Sequence, residues 1–437
     1  MTRLLPKPIA LLLIALVVGR VASVTWSAVG RTSGDFYASM PGGYVETLNP
    51  VLWNSPDMGA AWGYHRNTYF HGPTQYLTLY PLALFDSFAR IAAALLPLYA
   101  AVLAATFWLM WRIAERLGAQ RVLFVPLLAS TFLFFPLLQA YLQREFEVVV
   151  TFALSAALWF LIDDRRGRAA AVLAYAAWFK YIPLLFVGYL FLRRWWREVG
   201  VFAAVSAVIL AAAQLLFGLP NFFNNNVPGH AAQVFALWGY GFGYDQTGHL
   251  HGTGFCADWQ DNISTLSNIR SGLCTFAATH AWVHPPAIYL AICAAVAAVY
   301  LRAHVRLERA ALPAALEMRR RALEFSIVAT ICACFFFSHY YYLILLVIPF
   351  NVLLVLFAGD RRLGALALWA LSYFLVSAFV VPITMINRVA GFDMWEPYIW
   401  QGWFWYGEVL LVALLINEYR RLPATADAAP ATAPLRA

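Results

Sequence analysis

The chain has 437 residues, of which 62% are hydrophobic and 12% are charged, and its mean hydropathy is +0.67. So little polar surface excludes a water-soluble globular protein, and the uninterrupted apolar runs exclude the alternating strands of a membrane barrel. We therefore predict an all-α polytopic membrane protein. The net charge of +8 is carried by short connections between the apolar runs, which indicates membrane topology rather than binding of nucleic acid.

The apolar runs and the basic residues between them predict the topology in chain order. Arg3 and Lys7 place the N-terminus inside, so the first helix runs outward as an uncleaved anchor and delivers Asp35 to the outer face. The pattern predicts about twelve transmembrane helices with both termini inside. They lie near residues 8–29, 88–111, 122–140, 146–162, 169–192 (two short helices), 199–217, 286–301, 324–357 (two short helices), 363–381 and 403–416.

Two of these segments are predicted to be broken, because each has basic clusters at both ends and a single crossing would leave one cluster outside. The segment 169–192 would break near Lys180, where Pro183 removes a backbone donor. The segment 324–357 would break near His339. We therefore expect two short helical hairpins, with Lys180 and His339 at their bends near the outer face.

The connections between these helices indicate one membrane domain over residues 1–422. Its large external loops are predicted at about 31–87, 218–285 and 382–401. The Ala- and Pro-rich tail, 423–437, is predicted to be disordered and cytoplasmic.

The remaining charged and sulfur-containing residues are assigned as follows. The strongly basic segment Arg302–Arg321 is predicted to be an inner connection between two helices. Cys256 and Cys274 lie in the same external loop, and both a disulfide and two free thiols fit their spacing. No spacing typical of metal ligands appears, and no cofactor is expected.

Three polar side chains are predicted to reach the outer face from distant parts of the chain. An ionisable group in the bilayer costs about 2.5 to 3.5 kcal/mol on insertion scales, so each carries a functional hypothesis. A structural alternative stands beside each one. Asp35 fits a helix cap, Lys180 fits a side chain that extends to the lipid headgroups, and His339 fits a packed histidine among aromatic residues.

Several short segments resemble the landmarks of a known family, in the same order along the chain. They are Asp35-Phe36-Tyr37, Tyr76–Pro81, Trp178–Pro183 with the trailing Arg193-Arg194-Trp195, Asn262-Ile263-Ser264, and Ser338-His339-Tyr340. The family is glycosyltransferase family 87, the GT-C-type mannosyltransferases that use polyprenyl-phosphate-mannose and include the phosphatidylinositol-mannoside enzymes of mycobacteria. The sequence departs from the family pattern at the start of the fourth helix, where Arg144-Glu145-Phe146-Glu147 replaces Gly-Gln.

The resemblance implies a reaction and a set of site residues. It implies an inverting transfer of a hexose, with mannose favoured, from a polyprenyl-phosphate donor to a lipid-linked or cell-envelope glycan acceptor. The active site would face the extracytoplasmic side of a bacterial plasma membrane. In this reading Asp35 is the catalytic base, Lys180, His339 and Arg270 bind the donor phosphate, and Tyr37, His71, Tyr76 and Tyr340 contact substrate.

Two other classes of protein fit the same residues. A transporter or flippase of a lipid-linked sugar would share the cationic and aromatic groups, but its site would lie near the membrane midplane between related halves. A non-catalytic envelope scaffold would leave Asp35 and Lys180 far apart. For His71 and Arg270, a packing role in the loops is the alternative to substrate contact.

Overall fold

The structure, a computed structural model, describes thirteen stretches of the chain, and nearly all of them are helical. They are residues 6–30, 73–79, 81, 88–143, 147–180, 182–217, 241–244, 250–253, 273–280, 282–309, 312–334, 340–378 and 403–427. The helices are α1 (Lys7–Gly30), α2 (Pro73–Leu79), α3 (Phe88–Arg116), α4 (Phe124–Phe132), α5 (Phe135–Gln143), α6 (Glu147–Ile162), α7 (Arg166–Phe179), α8 (Leu185–Leu192), α9 (Trp196–Phe217), α10 (273–279), α11 (Pro285–Glu308), α12 (Ala314–Cys334), α13 (Val347–Gly359), α14 (Leu363–Tyr373) and α15 (Trp403–Asp427).

Four of the described helices, α1, α3, α9 and α11, are long and apolar enough to cross a membrane. A fifth span results if α4 and α5, which meet at 54°, are counted as one broken crossing. Several shorter apolar helices, among them α6, α13 and α14, pack around these spans. The prediction of a helical membrane protein is therefore confirmed, whereas the count of twelve spans stays a prediction.

The bend between α4 and α5 corrects the single helix expected over 122–140. A break in a helix exposes backbone groups that need other partners inside a bilayer. Here Ser377 supplies one of them, because its hydroxyl accepts a hydrogen bond from the backbone N–H of Phe135 at 2.7 Å. Ser377 lies in a π-helical turn, Phe374–Ala378, that follows α14. The bend is thus held by a distant helix, which no local sequence pattern indicates.

The first predicted break is present at Lys180. The helix α7 ends at Phe179, Lys180 adopts an extended backbone, and a 3-10 turn over Ile182–Leu184 leads into α8. Pro183 cannot donate the backbone hydrogen bond that would have continued α7. The basic clusters at the two ends of this segment meet, since the Arg166 guanidinium lies 4.8 Å from the centre of the Trp195 ring.

The second predicted break separates α12 from a 3-10 helix, Tyr340–Leu346, that continues into α13. The far ends of this pair also meet. Arg319, near the start of α12, donates two hydrogen bonds of 3.1 Å to the carboxylate of Asp360, which follows α13. Both broken segments therefore return to the side of the bundle from which they start.

Ion pairs connect many helix termini at one end of the bundle, which we call the Arg193 end. The pairs are Arg116 with Asp163, Arg321 with Asp164, Arg193 with Glu308, Arg319 with Asp360, and Arg362 with Glu418. The opposite end contains the turn between α7 and α8, and we call it the Lys180 end. The predicted topology would make the Arg193 end cytoplasmic.

The segment Arg302–Arg321 differs from the prediction of a basic inner connection. Most of it is helical, because α11 continues to Glu308 and α12 starts at Ala314. Arg320 and Arg321 are buried instead of solvated. Carboxylates from the same two helices neutralise them, which is the physical reason that the basic run enters the protein.

Glu324 is the centre of this buried network, since its side chain is completely enclosed. Arg320 donates to one of its oxygens at 3.0 Å, and the Tyr419 hydroxyl donates to the same oxygen at 2.6 Å. His304 lies 3.3 Å from that oxygen, and Arg193 lies 3.5 Å from the other one. Because a buried charge is costly unless it is paired and hydrogen-bonded, these four partners allow α11, α12 and α15 to pack together here.

We predict that Tyr419→Phe lowers the free energy of unfolding by about 1.5–3 kcal/mol, the range for a lost hydrogen bond to a charged group. The ring stays in place, but buried Glu324 loses one donor. Thermal or denaturant-induced unfolding in detergent measures the change. Tyr406→Phe on the same helix is the control, because Tyr406 is 51% exposed. Equal stability of the two variants would contradict the importance of this hydrogen bond.

The loop predicted over 218–285 contains regular structure. Strands β1 (Gly241–Tyr244) and β2 (Leu250–Thr253) form an antiparallel hairpin in which Gly241 pairs with Thr253. The helix α10 follows, and Cys274 within it is disulfide-bonded. The described part of the chain is thus not purely α-helical.

Candidate active site

Among the predicted site residues, Lys180 has a side chain that the structure describes. This side chain forms an ion pair with Glu147. Glu147 is the first residue of α6 and is only 2% exposed, while the Lys180 side chain is 13% exposed. A carboxylate is favoured at a helix N-terminus by the helix dipole, so α6 itself helps to hold the negative partner. The lysine therefore does not extend to the lipid headgroups as an isolated charge.

The pairing follows from the hairpin of α6 and α7. Glu147 lies 16 residues before Asp163 (163 − 147), and Lys180 lies 16 residues after Asp164 (180 − 164). In an antiparallel pair of helices, residues equally far from the turn come opposite each other. From the sequence, Glu147 was noted only as part of a departure from the family pattern and was not predicted to be a site residue. Its spacing from the turn could have identified it as the partner of Lys180.

The last turn of α12 connects the Lys180 turn to a second buried carboxylate. The Cys332 thiol donates to the backbone oxygen of Ile182 at 3.5 Å, next to the Lys180 turn. Two residues later, Cys334 lies beside Glu408, whose side chain is completely buried. Glu408 is a further residue that the sequence analysis missed. It is an acidic residue within the apolar first turns of α15, and an ionisable residue in such a segment indicates a functional site.

Glycine allows α15 to approach closely enough to bury Glu408. A Cβ atom on the neighbouring Gly407 would lie 2.6 Å from Val376 Cγ2 and 2.9 Å from the Ser372 oxygen. The Gly407 oxygen accepts a hydrogen bond of 2.7 Å from the Ser372 hydroxyl. This contact fixes the start of α15 against the π-helical turn and leaves Glu408 inside the bundle.

The helix α2, which carries Tyr76, packs against α7 near the same turn. The Thr78 hydroxyl lies 2.9 Å from the Tyr175 hydroxyl, within the last turns of α7 before Lys180. Thr78 also donates to the Thr74 oxygen of its own helix at 2.7 Å. The backbone of Tyr76 is therefore placed at the Lys180 end.

The helix α1 approaches the same end through α5. The Thr25 and Tyr141 hydroxyls lie 3.5 Å apart, and α5 packs in turn against the 3-10 helix that begins at Tyr340. That 3-10 helix also contacts α6, whose first residue is Glu147. The end of α1, the backbone of Tyr340 and the Lys180 pair thus adjoin one group of helices.

The other predicted site residues lie outside the described residues. These are Asp35, Tyr37, His71, Arg270 and His339. For Tyr76 and Tyr340 the structure describes the backbone and not the side chain. The predicted meeting of Asp35, Lys180 and His339 in one cavity stays a prediction.

Chemically, the described part of the site offers a partly buried cation beside a buried anion. An opposite charge at contact distance favours the ionised form of a group in a low-dielectric setting. The ammonium donates one of its N–H bonds to the Glu147 carboxylate. Such a paired lysine is oriented by its carboxylate, and this orientation is useful where an anionic group has to be held in one position.

The fold and this site define the chain as a polytopic helical membrane protein with an ion pair between helices at its Lys180 end. The sequence profile of glycosyltransferase family 87 matches residues 69–330, more than half of the chain. The protein therefore belongs to glycosyltransferase family 87 and is a glycosyltransferase. No curated protein matches the sequence.

The matched region covers only part of the predicted site. It contains His71, Tyr76, Lys180 and Arg270, together with Glu147. The residues predicted from the first helix and from the Ser338-His339-Tyr340 segment lie beyond it. Membership of a glycosyltransferase family decides against the transporter and scaffold alternatives.

Proposed function

We propose that this glycosyltransferase moves a hexose, specifically mannose, from a polyprenyl-phosphate donor to a lipid-linked or cell-envelope glycan acceptor. The observation that carries the proposal is the Lys180–Glu147 pair, which places an oriented cation at a helix break inside a family 87 enzyme. A phosphate-linked donor needs such a cation, because its leaving group carries negative charge. The proposed acceptor class and the preference for mannose rest on the resemblance to the mannosyltransferases of this family.

In the proposed reaction the acceptor hydroxyl oxygen attacks the anomeric carbon of the donor in one displacement. The new glycosidic C–O bond forms as the bond between that carbon and the phosphate oxygen breaks, and the electron pair leaves with the polyprenyl phosphate. Asp35 takes the proton of the attacking hydroxyl. A single displacement inverts the configuration at the anomeric carbon.

The donor phosphate is proposed to bind Lys180, with His339 and Arg270 as further cationic or hydrogen-bonding partners. Glu147 orients Lys180 through their ion pair. Tyr37, His71, Tyr76 and Tyr340 are proposed to contact the sugar or the acceptor. No cofactor is part of this proposal, because the donor already carries its leaving group, the polyprenyl phosphate.

We propose that the Lys180 end faces the extracytoplasmic side of a bacterial plasma membrane. Two observations support this orientation. The Arg193 end collects the basic turns, as expected for cytoplasmic connections. The disulfide of Cys274 lies between α9 and α11, whose other termini are at the Arg193 end, and disulfides persist in oxidising compartments.

The proposed donor class is tested with purified full-length protein in nanodiscs, incubated with radiolabelled polyprenyl-phosphate-mannose and an envelope lipid extract as acceptor. We expect label in a lipid product that is separated from the donor by chromatography, and one free polyprenyl phosphate for each sugar transferred. Parallel reactions contain GDP-mannose or polyprenyl-phosphate-glucose. Transfer from the nucleotide sugar alone would overturn the donor class, and preference for the glucosyl lipid would overturn mannose while keeping the class.

A further inference from the structure

A groove of about 540 Å³ lies between α11 and α15, on the side of the molecule near the Arg193 end. Three arginines line it: Arg302 and Arg306 from α11, and Arg420 from α15. Arg302 and Arg306 are four residues apart, so both point to the same face of their helix. The groove is therefore a cationic site built by two helices that are far apart in the sequence.

The floor of the groove is formed by packed residues and its rim by exposed ones. Ala303, Leu307 and Tyr419 are buried at the floor, whereas the three arginines are exposed. Tyr419 also donates to Glu324, so the floor belongs to the buried ionic network and is held in place by it. A rigid floor allows the groove to keep its shape without a ligand.

The carboxylates nearest to this groove in sequence are engaged by other arginines. Glu308 pairs with Arg193 and Arg320, and Glu418 pairs with Arg362. Within the described stretches, no carboxylate forms an ion pair with any of the three groove arginines. The groove thus presents three positive charges that the rest of the described protein does not neutralise.

An apolar strip leaves the groove along α11 towards the Lys180 end. Ile292, Val296 and Val299 are spaced at four and three residues, lie on the same face as Ala303, and are each more than a third exposed. The helix is one of the four described that are long and apolar enough to span a membrane. A ligand that matches both features carries a phosphate at one end and a hydrocarbon chain at the other.

We propose that this groove is a binding site for an anionic glycerophospholipid of the surrounding leaflet. The guanidinium groups hold the phosphate and headgroup, since arginine pairs with phosphate in a bidentate manner. One acyl chain lies along the strip formed by Ile292, Val296 and Val299. Basic pockets between membrane helices are known to select anionic headgroups, and the site is separate from Lys180 and from the proposed transfer reaction.

The test uses full-length protein in detergent and native mass spectrometry with phosphatidylglycerol, phosphatidylcholine of the same acyl chains, or inorganic phosphate. The groove variant is Arg302→Gln/Arg306→Gln/Arg420→Gln. The control variant, Arg121→Gln/Arg168→Gln/Arg421→Gln, removes three exposed arginines that do not line the groove. Both variants lose the same net charge.

We expect the wild type and the control to retain phosphatidylglycerol in preference to phosphatidylcholine. The groove variant should retain it roughly 100-fold more weakly, because each basic residue contributes about one factor of five at an anionic lipid. Equal losses in both variants would overturn the site. Equal retention of phosphatidylcholine would overturn the role of charge, and equally tight binding of inorganic phosphate would overturn the assignment to a lipid.

A second measurement does not depend on the folding of any variant. Wild-type protein is labelled with a photoactivatable phosphatidylglycerol whose reactive group is on the acyl chain. Cross-links are expected on peptides containing residues 292–299 of α11, where the acyl chain is proposed to lie. Cross-links that map only to other helices would overturn the proposal.

Discussion

Replacement of Asp35 by Asn is expected to lower sugar transfer by about 10²–10⁴-fold, the usual contribution of a general base. The amide has nearly the shape of the carboxylate but cannot accept the proton of the attacking hydroxyl. Donor binding should be unchanged, because in the proposed reaction Asp35 meets the acceptor and not the phosphate. The effect should therefore appear in kcat, with little change in the KM for polyprenyl-phosphate-mannose.

The path of α1 supports this prediction. The helix ends at Gly30, shortly before Asp35 in the sequence, and Thr25 near its end contacts Tyr141 of α5. Since α5 also packs against the 3-10 helix beginning at Tyr340, the end of α1 adjoins the helices around Lys180.

Asp57→Asn is the matched control, because Asp57 is a second carboxylate in the same predicted external loop. We expect it to keep wild-type activity. Both variants are assayed in nanodiscs for transfer and, separately, for retention of radiolabelled donor. Full activity of Asp35→Asn would remove it as the base, and loss of donor retention would reassign Asp35 to donor binding.

The helix break at Lys180 could be predicted from the sequence because two independent signals agreed. Basic clusters at both ends of 169–192 required an even number of crossings, and Pro183 weakened the helix where the break was needed. The break at Lys180 follows from these constraints on one short segment. No partner from elsewhere in the chain had to be known.

The burial of Arg320 and Arg321 could not be predicted by counting charges in the segment, because the count does not show which helix face each residue occupies. The signal was present in the spacing. Glu317 lies three and four residues before the two arginines, and Glu324 lies four residues after Arg320, so opposite charges share one face. Their burial then depends on Arg193 and His304, which come from other helices.

The bend between α4 and α5 and the position of Glu408 depend on tertiary contacts that a local reading does not contain. Phe135 finds a hydrogen-bond partner in Ser377, more than two hundred residues away. Glu408 is enclosed because Gly407 permits close packing against Ser372 and Val376. In both cases the structural role of a small or polar residue, Ser377 or Gly407, depends on the helix against which it packs.

The Lys180–Glu147 pair is predicted to be both a structural element and a donor contact, and a double-mutant cycle separates the two roles. Lys180→Met alone should lower the free energy of unfolding by about 3–5 kcal/mol, since it leaves a buried carboxylate without its cation. Glu147→Gln in the same background removes that charge. The double variant should therefore regain most of the stability, as buried pairs replaced by neutral groups often do.

Donor use should not recover with stability. The double variant lacks the ammonium proposed to hold the phosphate, so we expect its kcat/KM for polyprenyl-phosphate-mannose to remain roughly 100-fold below wild type. Arg116→Met is the control for stability, because Arg116 is half exposed at the opposite end and Asp163 keeps Arg165 as a second partner, so the loss should be about 0–1 kcal/mol. A double variant with wild-type donor kinetics would make Lys180 purely structural. A double variant as unstable as Lys180→Met would show that the unpaired carboxylate does not cause the loss of stability. Unfolding therefore tests the structural role of the pair, and donor kinetics test the role of Lys180 in binding phosphate.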